Sequence, residues 1–323
     1  MNTGLTMVSP DNGASAWLYF EYTDGRIIES HYSDGQWAIT DNDNITDKNV
    51  VAPSNAATQA SPLAAIAYTL YGTAYRQVFF ITSDGQLKTT QTNGNGTWSS
   101  PSDNILKGDK ASTRSYALAA CADTQSNGLN GIRVYYGSQN GYIQEVGMDF
   151  SESTESPVWH MWASFPQSDA SSGVACALNG NKNHMYLRNT STTAGFVQQW
   201  TWDYVHVTNW LLGTTSPNDI AMAPGFDIAV ANDGAGTDHV FYQLVNGTVI
   251  RALSDGSAAT LHDYEALDAQ TAYRGTKLAA AYLDPTGGTA GAVLMYQNAT
   301  NVENLYTVEI TRSGVVTDNV INP

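Results

Sequence analysis

The chain has 323 residues, of which 42% are hydrophobic and only 14% charged, and its formal net charge is −16. This balance suits a large β core under a weakly charged polar surface. The negative charge argues against nucleic acid and against anionic membrane surfaces as partners, and no apolar stretch approaches the roughly 20 residues that span a bilayer.

A short apolar segment rich in small residues recurs along the chain. Its equivalent positions are Leu63, Leu118, Val174, Ile228 and Leu278, which are separated by steps of 55, 56, 54 and 50 residues. A period of this length is typical of the blades of a propeller. Six steps fill the chain and no linker divides it, so we predict one domain, residues 1–323, with repeats of about 54 residues.

Each repeat continues in the same order after this segment. An aromatic-rich strand follows, at residues 17–20, 77–80, 133–136, 184–187, 239–242 and 293–296. Next comes a tight turn, clearest at Asp24-Gly25 and Asn246-Gly247, because such pairs accept the positive φ of two-residue hairpins. A third strand and, in several repeats, an outer Trp complete the unit. The pattern predicts an all-β fold, a six-bladed β-propeller of four-stranded blades.

Two features bear on the cellular compartment. Cys121 and Cys176 occupy similar places in adjacent repeats. We expect two buried thiols that behave as small hydrophobic side chains, with a disulfide between neighbouring blades as the alternative. The N-terminus lacks the basic and apolar regions of a signal peptide. Localisation therefore stays open between cytoplasmic and, if a leader was removed, secreted.

Several segments resemble the Aleuria-type fungal fucose-specific lectins. They are residues 131–136 (GIRVYY), 143–145 (IQE), 61–65 (SPLAA) and 198–202 (QQWTW). The similarity extends over essentially the whole chain in period and strand order, and the motifs match closely in repeats three and four. It implies a six-bladed propeller with sugar pockets between neighbouring blades.

In that family each pocket takes an Arg from the second strand and a Glu from the third strand of one blade. The next blade supplies an aromatic residue three positions after its own Glu position, and an outer Trp. Carried over residue by residue, the junction of repeats three and four keeps Arg133, Glu145, Trp202 and Trp210. Charged groups of this kind bind hydroxyls, and aromatic rings cover the apolar face of a sugar.

The other five junctions have each lost at least one polar residue of this set. Repeat one has Trp17 in place of the Arg, keeps Glu29 and faces Thr92 and Trp98. We predict Trp17 and Trp98 as further ligand-binding residues. In repeats two, four, five and six the Arg position is held by Gln77, His184, His239 and Val293. The alternative for all these positions is blade packing, with Arg133 and Glu145 as a surface ion pair of little energetic weight.

One hypothesis for function is a lectin-like scaffold that now binds another small molecule. Fungal tropolone–sesquiterpenoid pathways contain hetero-Diels–Alderases that resemble this lectin family. The resemblance implies an enzyme that joins a tropolone quinone methide to a humulene-type terpene. Such a step needs two partners held in a near-attack geometry and a donor for the carbonyl oxygen. We predict Arg133, His184 or His239 as that donor, and Glu145 as an aid to dehydration.

Two further hypotheses remain open. The chain is a fucose-binding lectin of reduced valency, with one intact pocket between repeats three and four, or a structural or protein-interaction propeller. For the two ligand-binding hypotheses, the partner is a small molecule, either a tropolone and terpene pair or a fucosylated glycan. A homodimer is a further expectation, since lectins of this kind gain affinity from several linked sites. We expect no cofactor and no metal, because nucleotide-binding and metal-ligand spacings are missing.

Overall fold

A computed structural model gives the fold. The structure describes residues 4–9, 13–22, 24–33, 36–38, 49–93, 96–125, 128–150, 158–179, 182–191, 195–203, 211–215, 221–255, 261–267, 272–273, 275–283, 291–297, 305–311 and 314–321. These residues form 24 β-strands and contain no α-helix. They therefore include no helix of the length and apolarity that a membrane span requires.

The strands form six antiparallel sheets, which are the blades of a six-bladed β-propeller. In chain order, blade one contains β1 (Leu5–Val8), β2 (Ala16–Glu21), β3 (Ile27–Ser33), β4 (Gln36–Ala38) and β5 (Val50–Ala52); blade two contains β6 (Leu63–Leu70), β7 (Thr73–Ile81) and β8 (Leu87–Thr92); blade three contains β9 (Leu118–Gln125), β10 (Gly128–Gly137), β11 (Ile143–Asp149) and β12 (His160–Phe165). Blade four contains β13 (Val174–Asn179), β14 (Lys182–Asn189), β15 (Phe196–Asp203) and β16 (Leu211–Thr215); blade five contains β17 (Ile228–Asn232), β18 (Asp238–Gln243), β19 (Val249–Ser254) and β20 (His262–Ala266); blade six contains β21 (Leu278–Leu283), β22 (Gly291–Gln297), β23 (Leu305–Thr311) and β24 (Gly314–Ile321). The predicted all-β propeller is confirmed.

Two blades depart from the predicted four strands. In blade one both β4 and β5 pair with β3. In blade two the fourth position is held by an irregular segment, in which the backbone N–H groups of Ser99, Ser102 and Ile105 donate to carbonyls of β8. The hydrogen bonds of an outer strand are therefore present there without regular strand geometry.

The first strand of each blade contacts the first strands of its two neighbours, and β1 contacts β21, which closes the ring. Small residues suit these six strands because they converge around a central channel. Cys121 on β9 and Cys176 on the neighbouring strand β13 form a disulfide, with Cα atoms 6.1 Å apart. The expectation of two free thiols is wrong, because neighbouring inner strands bring these Cα atoms within the range that a disulfide spans.

The pleat of the second and third strands places alternate side chains on opposite neighbours. We number each junction by its earlier blade, so junction three lies between blades three and four. At each junction, two positions of the earlier blade meet one position of the later blade. The arginine position on the second strand is held by Trp17, Gln77, Arg133, His184, His239 and Val293. The glutamate position on the third strand is held by Glu29, Thr89, Glu145, Gln199, Arg251 and Thr307. The facing position, one residue before the arginine position and so directed at the preceding junction, is held by Ala16, Arg76, Ile132, Asn183, Asp238 and Ala292.

Candidate functional site

At junction three, a buried ion pair lies on the face of blade three that packs on blade four. In the β10–β11 register, Arg133 is opposite Gly147 and Glu145 is opposite Tyr135, so the two charged side chains are diagonal neighbours on one face. Arg133 Nη1 donates to Glu145 Oε1 at 2.5 Å, and the two side chains are 10% and 1% exposed. A charge-assisted hydrogen bond away from water holds the guanidinium in one orientation.

Two indole rings flank this guanidinium. The Cζ of Arg133 lies 4.4 Å from the ring centroid of Trp162 and 5.1 Å from that of Trp202. Trp162 belongs to β12 of blade three and Trp202 to β15 of blade four. Both distances are within the range of cation–π contacts. Both blades therefore contribute an aromatic wall beside the same charged donor.

Trp162 was not predicted, and Gly147 explains how it reaches the site. A Cβ atom built on Gly147 would overlap the six-membered ring of Trp162, so the indole can lie against β11 only where the side chain is missing. A glycine inside a strand signals close approach of another group. That signal was available in the sequence, but it does not say which group approaches.

Junction one contains a second cluster of the same kind, built differently. Glu29 holds the glutamate position, and its partner is Arg76 from the facing position of blade two. Arg76 Nε and Nη2 donate to the two carboxylate oxygens of Glu29 at 3.0 and 3.1 Å. The guanidinium lies 4.5 Å from the ring centroid of Trp17 and 5.9 Å from that of Trp98. The predicted residues Trp17 and Trp98 are thus together, around an arginine that the mapping missed.

Junction four is closed by a polar network. His184, in the arginine position, has its Nδ1 at 2.6 Å from Asp238 Oδ2, and Asp238 comes from the facing position of blade five. The hydroxyl of Tyr186 donates to the same oxygen at 2.6 Å. Gln199 Nε2 donates to that hydroxyl at 2.7 Å and to Ser254 Oγ at 3.0 Å.

This network is almost fully removed from solvent. Asp238 and Tyr186 are 0% exposed, Gln199 is 4% and His184 is 7% exposed. Burial, followed by the charge of Asp238, raises the pKa of Tyr186 well above its usual range, so its phenol keeps its proton and remains a donor. His184 is therefore held by Asp238 at a different junction from Arg133.

Junction five has donors at both positions. His239 holds the arginine position and Arg251 the glutamate position, where Arg251 Nη2 lies 3.0 Å from Glu265 Oε2. Burial, and then the nearby charge of Arg251, lower the pKa of His239 to about 4, so this imidazole is neutral at neutral pH. Blade six contributes Ala292 at the facing position, which has no polar group to offer.

Junction two is filled from within its own blade. Tyr68 donates to Gln77, and Gln77 donates to Thr89 at 2.9 Å. In junction six, Val293 and Thr307 replace both charged residues and are buried. We assign no site to either junction.

The predicted site residues are thus distributed over four junctions. Junction three holds Arg133, Glu145 and Trp202, junction one holds Trp17 and Trp98, junction four holds His184, and junction five holds His239; Trp210 lies outside the described residues. The four residues predicted as catalytic therefore do not meet in one pocket. Among the described residues, no group of three or more His, Cys, Asp or Glu side chains is arranged to hold a metal ion.

Comparison with known proteins supports the architecture. No family model and no curated protein matches the chain. Several solved structures match it in fold. The fucose-recognising lectin of Aleuria aurantia, a six-bladed β-propeller, matches with a TM-score of 0.74 at 20% identity, over 99% of this chain and 95% of that one. A point mutant of the same lectin in complex with α-methyl-L-fucoside gives a TM-score of 0.75 at 20% identity over the same shares. AofleA from Arthrobotrys oligospora gives a TM-score of 0.76 at 16% identity, over 100% of this chain and 87% of that one. The chain has the fold of the Aleuria-type lectins.

Proposed function

We propose that this lectin-like propeller binds a small molecule at junction three and promotes an intermolecular hetero-Diels–Alder reaction there, between a tropolone quinone methide and a humulene-type sesquiterpene. The observation that carries the proposal is the position of Arg133 between the indoles of Trp162 and Trp202, fixed by Glu145. Flat aromatic walls on both sides of one charged donor suit a planar conjugated ketone better than a freely solvated sugar.

The residues have separate tasks in this reaction. The quinone methide arises when a hydroxymethyl tropolone loses water; its C=C–C=O unit then forms one C–C bond and one C–O bond with the alkene. Arg133 donates to the carbonyl oxygen, where negative charge develops as the bonds form. Glu145 orients the guanidinium, and the indoles hold the two apolar partners within reach. Such proximity is worth several kcal/mol of barrier.

The second candidate is fucose binding at the same place. It is favoured by the combination of an Arg–Glu pair with aromatic walls, on a fold shared with a lectin solved in complex with α-methyl-L-fucoside. In this function the guanidinium and carboxylate bind sugar hydroxyls, and an indole covers the apolar face of the ring. The cluster of Glu29 and Arg76 at junction one then adds a second site of related chemistry.

The two candidates predict different results for one set of proteins. Adduct formation from a hydroxymethyl tropolone and humulene is followed by chromatography with mass detection, above the rate without protein. Binding of α-methyl-L-fucoside is followed by titration calorimetry at millimolar sugar. The enzyme hypothesis expects accelerated adduct formation and no sugar binding; sugar binding without acceleration would establish the lectin instead.

The variants test whether the activity belongs to junction three. Arg133→Ala is expected to lower the rate about a hundredfold or more, which is the usual cost of one donor to developing charge. For sugar binding it is expected to lower the affinity about tenfold or more, which is the usual cost of one charged hydrogen bond. The double change Arg133→Gln with Glu145→Gln keeps a neutral hydrogen bond and leaves no buried unpaired charge, so it separates loss of function from loss of folding. Arg114→Ala, at an exposed arginine, is the matched control. Equal activity in all four proteins would place the site elsewhere, and no activity with either ligand would leave a structural propeller.

A further inference from the structure

Junction five carries a different kind of site from junction three. Its arginine and glutamate positions, His239 and Arg251, are on the face of blade five that packs on blade six. Phe241, which pairs with Arg251 and lies two residues from His239, belongs to the apolar core between those blades. Junction three has one donor and one acceptor at these positions, whereas junction five has two donors.

Both donors have a buried nitrogen without an acceptor among the described residues. These atoms are Nδ1 of His239 and Nε of Arg251. His239 is 9% exposed as a whole residue, and the Arg251 side chain is 13% exposed. Buried polar groups in folded proteins are nearly always paired, so two such atoms on one face indicate an acceptor that is supplied from outside this part of the chain.

Blade six does not supply it from the positions that do so elsewhere. At junction four the facing position is Asp238, which binds His184; at junction five it is Ala292. Ile310, three residues after the glutamate position of blade six, takes the place that Trp202 has at junction three. Both Ala292 and Ile310 are fully buried and apolar. The wall opposite the two donors is therefore made of small or aliphatic side chains.

The geometry of Glu265 shows what kind of acceptor fits. Glu265 Oε2 lies 3.0 Å from Nη2 of Arg251, and the adjacent Nε has no acceptor among the described residues. At junction one, in contrast, Arg76 binds Glu29 through both Nε and Nη2. A carboxylate that used both nitrogens of Arg251 would complete the fork–fork arrangement that guanidinium groups favour. The Glu265 side chain is 36% exposed, so it can move aside into solvent.

We propose that junction five binds a small molecule bearing a carboxylate, which takes the Nε and Nη2 edge of Arg251 in place of Glu265 and accepts a hydrogen bond from the ring of His239. The imidazole is suited to this role, because its lowered pKa leaves it neutral at neutral pH, where it donates one hydrogen bond. This site is separate from junction three, and its ligand differs in charge from the ligands considered there.

The test compares two sugars that differ in the carboxylate. D-glucuronate and D-glucose are titrated into the intact protein near pH 7, with binding followed by calorimetry. We expect glucuronate to bind at least about tenfold more tightly than glucose. Arg251→Gln should abolish this difference, and Glu265→Gln should raise the affinity for glucuronate several-fold, because it removes the competing carboxylate.

Each variant can overturn the proposal. Equal affinity for the two sugars, or a preference for glucuronate that survives Arg251→Gln, would contradict it. Glu265→Gln keeps the size of a partly exposed side chain and is not expected to unfold the protein, so unchanged or weaker binding in that variant counts against the site whatever happens to Arg251→Gln. Arg133→Ala must leave glucuronate binding intact; loss of binding there would move the carboxylate site to junction three.

Discussion

The two faces of blade four differ in how they meet the neighbouring blades. Towards blade three it presents Trp202, whose ring lies beside the guanidinium of Arg133. Towards blade five it presents His184, whose ring is held by Asp238. The residue at the facing position differs between the two junctions. At junction four Asp238 accepts from Tyr186 and binds His184, whereas at junction three Asn183 donates to the hydroxyl of Tyr135.

The comparison shows that replacement of an arginine does not by itself leave an empty pocket. At junction four the loss of the arginine is matched by an acidic residue on the next blade. At junction one the arginine position is Trp17, and the guanidinium arrives from Arg76 on the neighbouring blade. At junction five the facing position of the next blade is Ala292, which offers no polar side chain to His239 or Arg251. The chemistry of a junction therefore depends on the residues of both blades that meet there, and not on the residues of one repeat alone.

Removal of Asp238 is expected to have the largest effect on stability. Asp238→Ala leaves His184, Tyr186 and Asn232 without a shared acceptor in a buried region, and loss of one partner from such a network costs about 3–5 kcal/mol. Chemical denaturation measures this loss, with the exposed Asp103→Ala as control. Ligand binding at junction three should not change. If both variants unfold at the same denaturant concentration, junction four is not the closed and stabilising junction described above.

The disulfide at junction three gives the second prediction. It joins the inner strands of the two blades that contribute to the Arg133 site, and Cys121 is the register partner of Arg133 itself. Replacement of both cysteines by serine should lower the free energy of unfolding by about 2–4 kcal/mol, because the unfolded chain regains the freedom of a long loop. Ligand affinity should fall as well, since the two walls are no longer tied. Reduced wild-type protein should match the double variant, and an unchanged denaturation midpoint in both would exclude a stabilising bridge.

The third prediction concerns junction five and the dependence of stability on pH. The pKa of His239 is lowered to about 4 by burial and then by Arg251, while an unfolded histidine titrates near 6.5. The unfolded chain therefore binds more protons between these values, and the free energy of unfolding falls as pH drops from 6.5 towards 4. At pH 5 the lowered pKa of His239 reduces the free energy of unfolding by about 2 kcal/mol. His239→Asn should flatten that part of the pH profile of the melting temperature, and His160→Asn, at an exposed histidine, is the matched control. Parallel profiles for the two variants would contradict the assignment.

The sequence was sufficient for the architecture because the blade repeats its strand order at a regular period. The choice of Arg133 and Glu145 as site residues came from the resemblance to the lectin family, whose motif was mapped onto each repeat in turn. The facing position was missed because it acts between residues far apart in the chain: Glu29 and Arg76 are 47 residues apart, and His184 and Asp238 are 54 apart. Counting offsets within one repeat cannot reveal a partner that is brought close only by the packing of two blades.

Trp162 was missed for a local reason. The pairing of β11 with β12 shifts register between Gln144 and Val146. A β-bulge of this kind changes which outer-strand residues lie against the ion pair of Arg133 and Glu145. Trp159, three residues earlier in the chain, packs its ring on Phe79 at junction two instead. The outer strand is thus the part of the blade where sequence offsets are least informative.

The smallest predicted effect concerns Gly147. Gly147→Ala should push the Trp162 ring away from Arg133 and weaken ligand binding at junction three about three- to tenfold, in line with a cation–π contact of about 1 kcal/mol. Trp162→Ala removes the same contact directly. If the only task of Gly147 is to admit this ring, the double variant should bind no more weakly than Trp162→Ala alone, so the two changes should be fully non-additive. Additive losses would mean that Gly147 and Trp162 act on the ligand separately, and Trp162 would then have to be treated as packing and not as a wall of the site.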